Sequence, residues 1–127
     1  MGKKILVVDD EPQIVNLISL RLKESGYEIL TAGDGQTALQ KAREEKPDLI
    51  ILDLMLPKMD GYKVCALLKA DMRFNKIPII LLTARGQETD RVIGQEVGAN
   101  AYITKPFQAT ILLNKLKGLL GEESSHG

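Results

Sequence analysis

The sequence predicts an α/β protein, a doubly wound five-stranded parallel sheet, and two observations carry that expectation. Strand-like and helix-like patterns alternate from one end of the chain to the other, as successive βα units require. The runs at 5–8, 49–52 and 79–82 are continuously apolar, as expected of strands covered by helices on both faces. With 127 residues, 44% of them hydrophobic, the chain is long enough to bury roughly two-thirds of the surface its unfolded form exposes. One domain accounts for it.

The elements follow in order. Ile5-Leu6-Val7-Val8 is the first strand and runs into Asp9-Asp10-Glu11. Pro12 suits the first turn of a helix carrying Ile14, Leu17, Ile18 and Leu22 at helical spacing. Gly26 ends that helix, and the weaker strand Glu28-Ile29-Leu30-Thr31-Ala32 follows. A second helix starts after Gly35, carries Ala38, Leu39 and Ala42, and stops before Pro47. Leu49-Ile50-Ile51-Leu52 is the third strand, ending in Asp53. The third helix begins near Asp60-Gly61 and carries Val64, Leu67 and Leu68. Ile79-Ile80-Leu81-Leu82 ends in Thr83. The fourth helical pattern carries Val92, Ile93 and Val97 and stops at Gly98. Ala101-Tyr102-Ile103-Thr104 runs into Lys105-Pro106. The fifth pattern carries Ile111, Leu112, Leu116 and Leu119 up to Gly121. A polar, mobile tail is expected over 122–127.

Composition removes several function classes. Lys plus Arg and Asp plus Glu each total 17, so the basic bias of a nucleic-acid-binding domain is missing and no direct nucleic-acid binding is expected. The lone Cys65 forms no intrachain disulfide and fits a reducing, cytoplasmic setting. Met1-Gly2-Lys3-Lys4 precedes only four apolar residues, too few for a signal-peptide core or a membrane span. Cys65 itself reads as a packed small hydrophobe, and His126 as a solvated tail residue.

The strand ends carry the chemistry. In an open parallel α/β sheet the carboxyl ends of the strands line one edge, where ligands bind. Asp9, Asp10, Asp53, Thr83 and Lys105 all fall there. Two carboxylates about 5 Å apart repel by roughly 3 kcal/mol at an effective dielectric near 20. Three in one pocket call for a divalent cation, and oxygen ligands without histidine favour Mg²⁺. With the acids shielded, one carboxylate can attack phosphorus and form an aspartyl phosphate. Asp53 is the better nucleophile, standing alone after a central-looking strand, while Asp9 and Asp10 form a metal-holding pair. Lys105 offers a point charge and Thr83 a hydroxyl to the phosphoryl oxygens. Singly, each residue has an ordinary reading: acids at a helix start, a loop carboxylate, a helix cap, a solvated lysine. Their joint placement at strand ends favours the site.

These residues also resemble a known family. Val7-Val8-Asp9-Asp10-Glu11, Pro47-Asp48-Leu49-Ile50-Ile51-Leu52-Asp53, Leu56-Pro57 with Met59-Asp60-Gly61, Leu82-Thr83-Ala84, and Gly98-Ala99 followed by Tyr102-Ile103-Thr104-Lys105-Pro106-Phe107 match the receiver domain of bacterial two-component response regulators. The likeness runs from residue 3 to about 120 and implies a receiver domain over 1–121. It implies a flavodoxin-like sheet of order 2-1-3-4-5, with Asp53 accepting a phosphoryl group from the phosphohistidine of a sensor histidine kinase or a phosphotransfer protein. Asp10, Asp53 and the Met55 backbone carbonyl would bind Mg²⁺, with Asp9 acting through water. Thr83 and Lys105 would contact the phosphoryl group, Tyr102 would turn as Thr83 moves, and Lys105-Pro106 would be cis. Met55 and Arg85 would flank the phosphoryl group and slow its hydrolysis.

Leu54-Met55-Leu56-Pro57 and Leu82-Thr83-Ala84-Arg85-Gly86 resemble receivers of the winged-helix transcription-factor class. Such receivers form phosphorylation-dependent homodimers through helix 4, strand 5 and helix 5, and Arg91, Glu96, Lys115 and Lys117 fit that pattern. Asn100, Ala101 and Ile111 depart from it, standing where that class carries acids. The chain reads as a stand-alone or excised receiver whose switched surface controls an output protein or domain, and not as a turnover enzyme. A haloacid-dehalogenase-type phosphatase would need a second acid at position 55, where Met55 stands. A flavin carrier of the same architecture would not put Asp9-Asp10-Glu11 against its phosphate, and no Walker-type loop occurs.

Overall fold

A computed structural model describes residues 2–84 and 97–122, with Ala84 described by its backbone alone. The strands are β1 (Lys4–Val8), β2 (Glu28–Ala32), β3 (Leu49–Asp53), β4 (Ile79–Ala84) and β5 (Ala101–Lys105). The helices are α1 (Pro12–Glu24), α2 (Gly35–Glu45), α3 (Gly61–Lys69) and α4 (Ala109–Leu119), the last being the fifth helical pattern of the sequence. The fourth pattern, with Val92 and Ile93, lies outside the described residues, as do Arg85, Arg91, Glu96 and His126. The sheet order is β2-β1-β3-β4-β5 and every neighbouring pair is parallel.

Strand alternation divides the core in two. Leu6, Val8, Ile50, Leu52, Ile79 and Leu81 pack with Ala38, Leu39 and Ala42 of α2 and with Val64, Cys65 and Leu68 of α3. Ile5, Val7, Leu49, Ile51, Ile80 and Leu82 pack with Ile18 and Leu22 of α1 and with Leu112 and Leu116 of α4. All five β3 residues are buried, which explains their unbroken apolar run up to Asp53. Edge strand β2 is buried only at Ala32, matching its weaker signal.

Local chemistry sets the helix ends. Pro12 opens α1. Asp34 caps α2 by accepting the Thr37 N–H at 2.8 Å, and Asp60 caps α3 by accepting the Lys63 N–H at 2.9 Å, as short acidic side chains at this position do. Lys46, left-handed at φ 47°, ends α2 just before Pro47.

Leu17, Leu67 and Ile111 lie in their helices as the spacing predicts, and all three are exposed. Each immediately precedes a buried residue (Ile18, Leu68 and Leu112), and one helical step of 100° turns it out of the packed stripe. Phe74 is a core residue in the α3–β4 connection, with the Arg73 guanidinium 4.9 Å from its ring centre. Asn100 acts as an extension of the sheet: its N–H donates to the Ile79 carbonyl at 2.9 Å and its side-chain oxygen accepts the Ile79 N–H at 2.9 Å. Glu122, counted with the polar tail, is tied to the fold. Its N–H donates to the Lys117 carbonyl at 2.8 Å, and its carboxylate accepts the Tyr27 hydroxyl.

Candidate functional site

The register brings the strand ends level. Val8 pairs with Leu52, and Asp53 pairs with Leu82, so Asp9 follows β1 beside the end of β3 and Thr83 follows one step along β4. Lys105 pairs with Ala84 at the end of β5. Asp9 (2% exposed), Asp53 (5%) and Thr83 (3%) are the buried polar residues among those described. Asp10 is exposed and opens the cup to solvent.

The carboxylates of Asp9, Asp10 and Asp53 each place an oxygen within 4.8 Å of the others. Lys105 bridges two of them, its Nζ donating to Asp9 Oδ2 at 2.8 Å and to Asp53 Oδ2 at 3.1 Å. Glu11, for which the sequence predicts no role in the site, brings a carboxylate oxygen to 3.7 Å of the same Nζ. Backbone donors fix the orientations: the Glu11 N–H donates to Asp9 Oδ1 at 3.0 Å, and the Met55 N–H to Asp53 Oδ1 at 3.3 Å. Met55 itself is 77% exposed.

Burial first, then the Asp9 charge, hold the Asp53 carboxyl above the usual carboxylate range, and the hydrogen bond and charge of Lys105 only partly offset them. For Lys105, burial pulls its pKa down, but its bonds to Asp9 and Asp53 outweigh it and raise it. One ammonium group therefore does not satisfy the three acids. That surplus, an all-oxygen donor set and an opening at Asp10 suit a hard divalent cation.

Thr83, next to last in β4, lies at the same edge of the sheet as the acids, one residue beyond the partner of Asp53. Alternation along β4 puts Thr83 on the same face as Leu81, and Tyr102, the partner of Leu81 in register, packs against that core cluster half-buried. The Lys105–Pro106 peptide is cis. Arg85, expected beside the phosphoryl group, lies outside the described residues.

A doubly wound parallel sheet with an acid cup at its carboxyl edge defines an α/β domain whose ligand crevice is lined by carboxylates. Residues 5–117 match the response regulator receiver domain family, and the chain belongs to that family, whose role is phosphorylation-dependent switching in two-component signalling. It is 51% identical over 120 residues to the alkaline phosphatase synthesis transcriptional regulatory protein PhoP of Bacillus subtilis, covering 94% of this chain and 49% of that protein. It is 44% identical over 117 residues to the DNA-binding dual master transcriptional regulator RpaA of Synechocystis, covering 92% and 48%. The chain thus spans about half the length of the curated relatives it matches.

Among solved structures, a response regulator from Chloroflexus aurantiacus superposes with a TM-score of 0.92 at 34% identity, covering 96% of this chain and all of that one. The receiver domain of a sensor histidine kinase from Pseudomonas aeruginosa, with magnesium coordinated in its active-site cleft, gives a TM-score of 0.88 at 33% identity, with 96% and 100% covered. The family is one of signalling domains and not of enzymes. No helix among the described residues is long and apolar enough to cross a membrane.

Proposed function

We propose that Asp53 is the phosphoacceptor of this receiver and takes its phosphoryl group from the phosphohistidine of a sensor histidine kinase or phosphotransfer protein. The observation that carries this reading is the meeting of three carboxylates within 4.8 Å around the end of β3, two of them held by one lysine. Asp10, Asp53 and the Met55 carbonyl are the Mg²⁺ ligands in this reading, and Asp9 acts through water. When bound, Mg²⁺ neutralises the acids and the incoming phosphoryl oxygens, lowering the repulsion between nucleophile and phosphorus.

The chain's own residues supply the rest. Asp53, oriented by the Met55 N–H, presents one oxygen in line with the phosphorus. As the new P–O bond forms, the phosphorus–nitrogen bond of the donor imidazole breaks. Lys105 then exchanges its bond to Asp53 for one to a phosphoryl oxygen, and the Thr83 hydroxyl donates to another. The aspartyl phosphate carries a charge of about −2 where the carboxylate carried −1, spread over three phosphoryl oxygens. Drawing Thr83 toward it opens room for Tyr102, two positions away in the register, and alters the surface that the resemblance assigns to the fourth helical pattern, β5 and α4. That surface then engages an output protein or domain, or a second copy of the chain. Met55 and Arg85 screen the anhydride from water and prolong the signal. Residues 1–121 form the receiver unit, with Glu122 bonded to it, and the polar tail follows.

Incubation with radiolabelled acetyl phosphate and Mg²⁺ tests the reading. The protein should take up label that is lost in alkali, and chelation of the metal or Asp53→Asn should abolish uptake. Undiminished label in Asp53→Asn would refute it.

A further inference from the structure

The segment 54–60 joins β3 to α3 and carries the Met55 carbonyl assigned above to the metal. It has no helix or strand of its own, so a ligand on it is placed only as well as the segment is held from outside. Two glycines hold it. Gly61 opens α3 and donates its N–H to the Leu54 carbonyl at 3.0 Å. A Cβ on Gly61 would lie 2.4 Å from the Asp53 carbonyl oxygen and 2.9 Å from Leu54 Cα. Gly35 opens α2 and donates its N–H to the Pro57 carbonyl at 3.3 Å. A Cβ there would lie 1.8 Å from the Met59 carbonyl oxygen.

Neither glycine is needed for its backbone conformation. The described glycines with positive φ are Gly26, Gly98 and Gly121, so Gly35 and Gly61 adopt angles open to any residue. What they provide is space for another segment's backbone. The atoms in the way are backbone atoms and the Met59 Cβ, which is fixed to the backbone, so no rotamer change relieves the clash. Lys58, where the segment turns through a left-handed φ of 68°, adds an ion pair to Asp34 at 3.9 Å across the same junction.

We propose that Gly35 and Gly61 are positioning residues of the metal site, clamping the 54–60 segment between the starts of α2 and α3 so that the Met55 carbonyl faces the acid cup. The inference rests on the reading of Met55 as a metal ligand. Gly61 seats against the backbone of Asp53 itself, while Gly35 braces the far side of the segment and touches none of the acids. Gly35 is therefore the cleaner probe.

Calorimetric titration with MgCl₂ tests it on the wild-type chain, on Gly35→Ala and on Ala42→Gly, a change in the buried face of the same helix that leaves the junction intact. Displacing a support behind a ligand weakens metal binding by roughly tenfold or more, and that is the loss expected for Gly35→Ala, with Ala42→Gly binding as wild type. A second readout needs no variant. By reciprocity of linkage, Mg²⁺ should slow hydrogen exchange of the Gly35 amide more than that of the Lys46 amide at the other end of α2. Wild-type affinity in Gly35→Ala, or equal slowing of the two amides, would overturn the proposal. Failure of the wild type to bind Mg²⁺ would instead sink the metal reading, and this inference with it.

Discussion

Replacing Lys105 with alanine leaves two buried carboxylates facing each other without their cation. Its Nζ lies 2.8 Å from Asp9 and 3.1 Å from Asp53, and at an effective dielectric of about 20 each contact carries roughly 5–6 kcal/mol of gross attraction. Much of that is cancelled by the dehydration of the three ions. The loss is also bounded, because one acid can take up a proton instead of staying charged. From an ordinary carboxyl pKa near 3.9, that proton costs about 4 kcal/mol at pH 7 and about 1.5 kcal/mol at pH 5. Breaking a buried pair typically removes 3–5 kcal/mol, so the expected loss for Lys105→Ala in chelator is roughly 3–4 kcal/mol at pH 7. It should shrink to about 1.5 kcal/mol at pH 5, where protonation is easier. Urea denaturation followed by circular dichroism at the two pH values measures both numbers. Millimolar Mg²⁺ should restore part of the stability at pH 7. A loss below about 1 kcal/mol at pH 7, or equal losses at both pH values, would refute the reasoning.

Further expectations concern single groups. Asp53 is held above the usual carboxylate range, so the folded state binds its proton more tightly than the unfolded one. Its contribution is fully present below the unfolded value and is lost as pH rises through the folded one. Asp53→Asn should therefore stabilise the chelated protein at pH 7 in urea melts, with the gain fading as the medium becomes acidic; a constant gain would contradict this. Asn100→Ala strips the buried Ile79 N–H of its acceptor and should cost about 1–3 kcal/mol in the same assay. Burial pushes the Cys65 thiol up to about 11, so at pH 8 a disulfide reagent should label it only as fast as the protein opens. Labelling at the rate of a free thiol would show otherwise.

The sheet and the acid cup were legible because they leave local marks. A strand covered on both faces reads as an unbroken apolar run, and the polar residue that ends the run is the one delivered to the sheet edge. Asp9, Asp53, Thr83 and Lys105 were found that way, and Asp10 by adjacency to Asp9. What could not be read depends on partners distant in sequence. Leu17, Leu67 and Ile111 fit the helical period and are exposed, a difference of one 100° step that spacing alone cannot resolve. Phe74 is buried from a connection that has no period to read. Asn100 answers a donor 21 residues earlier. Gly35 looks like an ordinary helix start until the Met59 carbonyl is seen against it, and the Lys105 bridge to Asp9 spans 96 residues. A phosphoryl role for Lys105 is readable from its place after β5, but its bridge to Asp9 and Asp53 is not.

The phosphoacceptor assignment is tested most directly by trapping the anhydride. After reaction with acetyl phosphate and Mg²⁺, borohydride reduces an acyl phosphate to an alcohol and converts the phosphorylated aspartate into homoserine, which peptide sequencing reads at its position. Homoserine at position 53, and only when Mg²⁺ is supplied, is the predicted result. Homoserine at position 9 or 10 instead, or at position 53 with equal yield in chelator, would contradict it.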